Sequence, residues 1–465
     1  MTIHGIILIL FDTLLAVTAL FAATVSRFGY SDVIGQLHSP KTILTTVIYV
    51  LVILFSSHLM EAYDFDKNVK KREIFINILF SAATSFSLLS IVYYLDPEVT
   101  LGRGVLVLSL VFFSAFQFLW HTVYLIGKSN PRFSQRVLIL GTGGLAAQIG
   151  EMASANNRSL VFAGYASCAS DGNADSGRTT PADVAVPAGA IVGCSDDLMT
   201  ATRQARADMI VVALSERRGV FPFRDVLKCK MNGIEVLDAP SFYELVHGKL
   251  MLESITPSWF IFSSGFRRSS LFSLFKRGID ILLSIVGLLL TVPLFPFIAL
   301  AIRIDSPGPV FFRQLRVGNN EKPFILYKFR TMCQDAEERT GAKWAERNDT
   351  RVTKLGKFFR GSRIDEIPQL MNVLKGDMSF VGPRPERPEF VEKLNQIIPY
   401  YSKRHFIKPG LTGWAQVRYP YGSSVEDAIE KLRYDLYYIK NICPFLDTLI
   451  FFETIKVVLF GRGGR

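Results

Sequence analysis

Two adjacent carboxylates, Asp365 and Glu366, stand two residues ahead of Pro368 in the string SRIDEIPQLMNVLKGDMSFVGPRP, residues 362–385. Proline suits the first position of a helix because its missing N–H costs nothing there. Pro368 is therefore expected to open a helix, with Asp365 and Glu366 at or just before its positive end, where the helix dipole stabilises anions. A carboxylate kept ionised in that place can act as a nucleophile or as a metal ligand. Arg360 and Arg363 lie just upstream, within reach of phosphate oxygens. Arg384 is held between the restrained φ angles of Pro383 and Pro385, and Lys328 and Arg330 stand on the strand-like segment YKFRTM, residues 327–332. Taken one at a time, the two acids could be a capping pair and each cation a solvated surface charge. Together they resemble a phosphate clamp: chemistry on a phosphate ester, with a divalent cation held by Asp365 and Glu366.

The elements that must position these groups are apolar. Of 465 residues 49% are hydrophobic, and the mean hydropathy is positive, +0.27. Four apolar runs, residues 5–25, 42–60, 74–95 and 104–126, have the length of a membrane span. The first is too long, and followed by too many others, for a cleaved signal peptide. Lys67, Lys70, Lys71 and Arg72 fill the loop between the second and third runs, and Lys128, Arg132 and Arg136 follow the fourth. The positive-inside rule puts both ends of this bundle, and all that follows, in the cytoplasm.

A fifth run, residues 281–302, contains Pro293 and Pro296 and is flanked by Lys276, Arg277 and Arg303. Prolines near the midpoint break the helix. With basic residues at both ends, the segment is expected to enter the membrane and return as a re-entrant hairpin, residues 276–304; an ordinary kinked fifth span is the alternative. The net charge is +11, and residues 266–465 alone carry 32 Lys/Arg against 20 Asp/Glu, or +12. A basic surface of this kind suits nucleic acid, anionic lipid or a phosphorylated substrate. The apolar runs favour the last two and argue against nucleic acid. The cysteines, Cys168, Cys194, Cys229, Cys333 and Cys443, are odd in number and scattered, which is neither a disulfide framework nor a zinc pattern.

Between the apolar runs and the basic region, RVLILGTGGLA at residues 136–146 reads as a buried parallel strand, a tight turn of Gly141, Gly143 and Gly144, and a helix start. This is the turn of a dinucleotide-type βαβ unit. Further strands are expected at 159–166, 209–214 and 233–237, interrupted by a loop at about 167–190. The turn could bind a nucleotide, or the domain could be Rossmann-like and bind nothing. The end of the second strand offers no convincing acidic residue. Tyr124 and Lys128 have the Tyr-x3-Lys spacing of short-chain dehydrogenases but precede the turn, which makes the spacing a coincidence. Downstream, the turn-rich segment KPGLTGW, residues 408–414, could shape a substrate pocket or cross the surface. Residues 428–440, with Tyr434, Tyr437 and Tyr438, and residues 445–460, ending near Arg462 and Arg465, could lie at a lipid interface or pack in the core.

From Ile279 onward the chain resembles the bacterial sugar transferase family, the monotopic polyprenyl-phosphate phosphoglycosyl transferases, on the strings DEIPQL, GDMSFVGPRP and KPGLTGW. The apolar runs and the middle domain resemble the long members that start exopolysaccharide or capsule repeat units. The resemblance implies transfer of a sugar 1-phosphate from a UDP-sugar to undecaprenyl phosphate, releasing UMP. It implies Asp365 as the nucleophile that takes up the phosphosugar, and Glu366 as its partner in positioning or proton handling. Mg2+, or Mn2+ in its place, would bridge Asp365 and the diphosphate, and Arg360, Arg384 and Lys328 would contact phosphate. A homodimer rests on family analogy alone. Many members carry Ser-Pro at the hairpin break, where this chain has Val292-Pro293; the serine is missing, and the adjacent Thr291 could substitute for it.

The expected architecture is thus a membrane protein in three parts: a four-helix transmembrane bundle (1–128), a Rossmann-like, CoA-binding-like α/β domain (129–265), and an α-rich monotopic catalytic domain (266–465). It would lie in the bacterial inner membrane with the catalytic domain on the cytoplasmic face. Two competing readings remain: a membrane-tethered nucleotide-sugar dehydratase or epimerase that uses the glycine turn, and a non-catalytic regulator of export.

Overall fold

The computed structural model describes residues 3–30, 40–60, 62–63, 71–97, 100–128, 134–155, 160–168, 185–214, 221–255, 257–263, 265–266, 269–333, 351–419, 422 and 424–459. Lys67, Lys70, Arg132, Arg462, Arg465 and most of the 167–190 loop lie outside these residues. The chain clusters into two compact units, Met1–Phe242 and Tyr243–Arg465.

The first unit begins with four long apolar helices: α1 (Ile3–Phe28), α2 (Pro40–Leu59), α3 (Lys71–Leu95) and α4 (Arg103–Lys128). Each is long and apolar enough to cross a membrane. They bury one face around Tyr49, Ile53, Leu89, Leu110 and Phe113 and leave Leu10, Leu14, Leu51, Leu79 and Leu119 exposed. An outward-facing apolar surface of this extent needs a lipid environment. Within the bundle lies a polar network to which every helix contributes. Gln117 Nε2 on α4 donates to Asp12 Oδ2 on α1 (2.6 Å) and to Ser57 Oγ on α2 (3.1 Å). Ser57 meets Ser81 on α3 at 3.0 Å, and His121 Nε2 stands 3.2 Å from Asp12 Oδ2. Asp12, Ser57, Gln117 and His121 are fully buried.

The same unit carries a five-stranded parallel sheet of order β3-β2-β1-β4-β5, built from β1 (Gln135–Leu140), β2 (Leu160–Ser167), β3 (Ile191–Cys194), β4 (Met209–Val212) and β5 (Glu235–Asp238). Helices α5 (Gly144–Ser154), α6 (Leu198–Ala205) and α7 (Phe223–Met231) connect the strands. The order reverses between β1 and β4, the switch point of a doubly wound fold. β3 follows the long loop and has no counterpart among the strands expected from sequence. With four residues, IVGC, at the sheet edge it carries almost no pattern of its own. Gly141 has φ of +127°, and a Cβ there would fall 2.6 Å from the Ala213 carbonyl oxygen, so this glycine is required by the close passage of the chain beyond β4. Gly143 is extended and Gly144 faces open space. The Thr142 carbonyl accepts from Ala185 N (2.9 Å).

The second unit opens earlier than the sequence division at residue 265 suggests. Leu250, Ile255, Trp259 and Phe260 belong to its core, and Gly248 O accepts from Trp414 Nε1 (2.8 Å). Its elements are α8 (Ser270–Thr291), a 3-10 turn (Val292–Leu294), α9 (Phe295–Asp305), the antiparallel pair β6 (Phe311–Val317) and β7 (Pro323–Phe329), α10 (Lys354–Ser362), a 3-10 helix (Ile364–Gln369), α11 (Leu370–Lys375), β8 (Ser379–Val381), α12 (Pro388–Ile397), β9 (Gly410–Thr412), α13 (Val425–Lys440) and α14 (Pro444–Leu459). α13 and α14 supply the core: Leu432, Leu436, Tyr438, Leu449 and Ile450 are almost fully buried, with Tyr434 and Tyr437 packed against them. Of the two alternatives, lipid interface or core, the aromatics of α13 take the second.

The KPGLTGW string also finds its place in this unit. Its β9 pairs in parallel with β8, and Gly382, Gly410 and Gly413 interlock at the joint. A Cβ on Gly410 would lie 2.1 Å from Gly382 N and 2.3 Å from Thr412 O, both backbone atoms that cannot give way. Gly410→Ala is therefore expected to cost about 3 kcal/mol, read as a fall of roughly 6–12 °C in Tm. A thermal melt of the detergent-solubilised variant that matches wild type would contradict this packing.

The helix break falls where the prolines require it. Pro293 lies in the 3-10 turn and Pro296 in the first turn of α9. Both arms pack on this one unit. On α8, Arg277 donates to the carbonyls of Val373 (2.6 Å) and Leu374 (2.7 Å) at the end of α11, and Asp280 Oδ1 accepts from Ser379 Oγ (3.1 Å) and Phe380 N (2.9 Å). Lys276 pairs with Asp447 at 2.7 Å. On α9, Ile302 packs with Phe329 and Phe359. Leu282, Leu289, Leu290, Phe297 and Leu300 face outward. Thr291 does not serve the proline break: its hydroxyl donates to Gly287 O (2.6 Å), whereas the carbonyl freed by Pro293 is that of Leu289.

Candidate active site

Each side chain of the clamp is delivered by a different element. α10 starts at Thr353, whose hydroxyl accepts from Gly356 N (2.9 Å), and it stops at Arg363, which takes the left-handed conformation (φ 60°). A non-glycine residue held there is strained, and such residues gather at functional sites. The reversal throws the chain into the 3-10 helix Ile364–Gln369, with Asp365 and Glu366 in its first turn. Pro368 stands inside this helix and does not open α11, because the reversal at Arg363 has already restarted the chain. The acids still occupy a helix start, as the sequence suggests, but a 3-10 one.

The two carboxylates are equally buried, 6% exposed each, and have opposite surroundings. Glu366 Oε1 accepts from Arg384 Nη2 (2.7 Å) and Lys328 Nζ (3.0 Å), and Oε2 accepts from Arg363 Nη1 (3.3 Å). Burial alone would raise its pKa, but Arg384, Lys328 and Arg363 hold it well below the ordinary carboxylate value. Asp365 has Lys328 at 3.9 Å from Oδ2, while its buried Oδ1 has no hydrogen-bond partner among the described residues. Burial, aided by the negative Glu366 next to it, pushes the Asp365 pKa up despite Lys328, Arg384 and Arg360. Burial also lowers the Lys328 pKa. The environment therefore divides the pair. Glu366 is a fixed anion that gathers cations; Asp365 is the more basic carboxylate, with one oxygen open.

Of the residues singled out from sequence, Asp365, Glu366, Lys328, Arg363 and Arg384 come together in this cluster. Arg360 joins through its field on Asp365, and its Nε donates to Thr331 Oγ1 (3.0 Å). Pro383 and Pro385 are buried on either side of the half-buried Arg384. Arg330 goes elsewhere: it donates to the carbonyls of Ser306 (2.5 Å) and Pro307 (2.9 Å) and closes the end of α9. Gly141, Gly143 and Gly144 belong to the other unit.

Asn372 had no role in the sequence reading. Fully buried, it accepts from Tyr327 N (3.1 Å) and donates to Ile325 O (2.7 Å), so its amide extends the β7 ladder and fixes the strand that bears Lys328. A lone Asn among the apolar residues 370–374 of α11 was the available signal.

A divalent cation fits this set in one way. Mg2+ uses one or two carboxylates and completes its shell with phosphate and water. The orphaned Asp365 Oδ1 has the chemistry such a cation would take. Both oxygens of Glu366 are committed to cations, so Glu366 does not suit that role.

A buried carboxylate with an open oxygen, ringed by arginine and lysine, has the chemistry that suits a phosphate ester. Residues 271–461 match the profile of the bacterial sugar transferase family. Over 242 residues the chain is 41% identical to the UDP-N-acetylgalactosamine-undecaprenyl-phosphate N-acetylgalactosaminephosphotransferase of Aeromonas hydrophila, covering 52% of this chain and 56% of that one. It is 44% identical over 186 residues to the UDP-glucose:undecaprenyl-phosphate glucose-1-phosphate transferase of Escherichia coli (strain K12), 39% of each chain. It is 40% identical over 185 residues to the exopolysaccharide production protein PSS of Rhizobium leguminosarum bv. phaseoli, 39% of this chain and 92% of that one. The match thus spans about half, or less, of the longer relatives. This chain belongs to the bacterial sugar transferase family.

Proposed function

We propose that the protein transfers a sugar 1-phosphate from a UDP-sugar to undecaprenyl phosphate, the first membrane step of exopolysaccharide or capsule repeat-unit assembly. The observation that carries this reading is the division of the dyad: Asp365 raised and open, Glu366 lowered and locked. Asp365 attacks the phosphorus nearest the sugar, and the bond to UMP breaks as the phosphosugar passes to the carboxylate. An oxygen of undecaprenyl phosphate then attacks the same phosphorus, the bond to Asp365 breaks, and sugar-diphospho-undecaprenol leaves. Lys328, Arg360, Arg363 and Arg384 oppose the charge that gathers on the phosphoryl oxygens. A bound Mg2+, or Mn2+ in its place, would touch Asp365 and neutralise part of the diphosphate charge.

The hairpin supports this order of events. Both arms pack on one unit and expose an apolar edge, which fits a helix that enters the membrane and returns, with the site at the headgroup plane where a lipid phosphate lies. In this reading α1–α4 form a four-span bundle, Lys71 and Arg72 face the cytoplasm, and the catalytic unit lies on the cytoplasmic face of the inner membrane. The competing dehydratase reading would draw on the glycine turn, where Gly141 already has a packing reason and Thr142 O an internal partner.

The test is UMP release by the purified full chain in detergent, with Mg2+, undecaprenyl phosphate and a panel of UDP-sugars that includes UDP-glucose and UDP-N-acetylgalactosamine, the donors in the relatives' names. Release with one donor far above the rest is expected. No release with any donor would sink the reaction.

A further inference from the structure

Pro383, Arg384 and Pro385 present three consecutive carbonyls, and each accepts from a different part of the unit. Gly410 N donates to Pro383 O (2.9 Å), Arg404 Nη2 to Arg384 O (3.0 Å) and Arg316 Nη1 to Pro385 O (3.0 Å). Two of the three residues lack an N–H, so this stretch cannot be tied down by a ladder of its own and needs donors brought to it. The middle donor is the most constrained of the three. Arg404 is 5% exposed, its Nη2 lies 2.7 Å from Oδ2 of Asp435 on α13 (2% exposed), and its Nη1 donates to the buried Tyr401 hydroxyl (2.6 Å). Burying this ion pair carries a large desolvation penalty, a poor way to stabilise a core. It is a good way to fix one carbonyl.

We infer that Arg404 is a positioning residue for the Arg384 clamp: braced by Asp435 and Tyr401, it holds the Arg384 backbone so that the guanidinium stays on Glu366 and on the transferring phosphate. The inference rests on the transfer reaction proposed above. It separates from a purely structural role because a brace acts through Arg384, whereas a fold defect acts with or without it.

A double-mutant cycle tests this on the full chain in detergent. Arg404→Lys keeps a charge for Asp435 but cannot fork to Tyr401 and Arg384 O together, and Tyr401→Phe removes only the hydroxyl. Each is measured by release of radiolabelled UMP in the wild-type background and in Arg384→Ala, which is expected to keep roughly a hundredth of the activity. Arg404→Lys is expected to lower kcat/KM by roughly 10–100-fold in the first background and by less than about twofold in the second. Tyr401→Phe should repeat the pattern with a smaller loss, and it carries the cycle if Arg404→Lys fails to fold. Equal fold-losses in both backgrounds would overturn the positioning role and leave the transferase reading intact. A wild-type protein that releases no UMP would overturn both.

Discussion

Asp365→Asn is expected to abolish UMP release, by roughly a thousandfold or more, while the protein melts at a higher temperature than wild type. The first effect follows from loss of the attacking oxygen. The second follows from the direction of the pKa shift. A carboxylate whose native pKa is raised above its unfolded value of 3.8 costs stability when ionised; the cost is absent below that value and fully present once the pH exceeds the native pKa. Asparagine carries no such cost at neutral pH, and Lys328 keeps Glu366 as its partner at 3.0 Å. The gain is read as an upward shift of Tm in a thermal melt of the full chain. An inactive variant that also melts well below wild type would mean that Asp365 holds the fold, and the nucleophile would have to be sought elsewhere.

Glu366→Gln is expected to give the opposite thermal result with a smaller loss of activity. It leaves Lys328, Arg363 and Arg384 gathered around a neutral amide. Removing the anion of a largely buried charge cluster costs about 3 kcal/mol, because Lys328, Arg363 and Arg384 lose the carboxylate they share. Repulsion among the three cations would then open the clamp and lower UMP release by roughly a hundredfold. The pH dependence has a definite sign. Glu366 is held well below its ordinary value of 4.5, so its contribution is complete above that pH and is lost as the pH falls toward the native pKa. Wild type should therefore lose stability between pH 4.5 and more acid conditions faster than Glu366→Gln. Parallel acid-melting curves for the two proteins would exclude this account of the dyad.

Much of the site is legible in the sequence because it is written in short local strings. Asp365, Glu366 and Arg363 lie within four residues, and the restrained φ angles of Pro383 and Pro385 announce a fixed arginine. What sequence does not disclose is how adjacent residues diverge. Nothing in the letters Asp-Glu says that one carboxylate will gather three cations and the other keep an open oxygen; that follows from the left-handed turn at Arg363, a conformation no side chain advertises. Arg330 looks equivalent to Lys328 on paper, yet one caps a helix and the other faces the dyad. The long apolar helices are plain from composition, whereas β3 is not, because four edge residues carry no period. The tyrosines of α13 leave two alternatives open for a related reason: aromatic spacing marks an amphipathic face but not what covers it, and here it is covered by protein.

The polar network inside α1–α4 has a bearing on how such proteins can be cut and recombined. Asp12, Ser57, Ser81 and Gln117 come from four different helices and hydrogen-bond to one another. Remove any one helix, and at least one of the others is left with a polar group stranded in hydrocarbon, where no water can replace the missing partner. The bundle is therefore indivisible: a chimera or a truncation has to take all four helices or none. The exopolysaccharide production protein of Rhizobium leguminosarum bv. phaseoli is covered over 92% of its length by 185 matched residues, so a relative can be little longer than that match. The joints open to the engineer, and to gene rearrangement, are those at the edges of the bundle and never those between its helices.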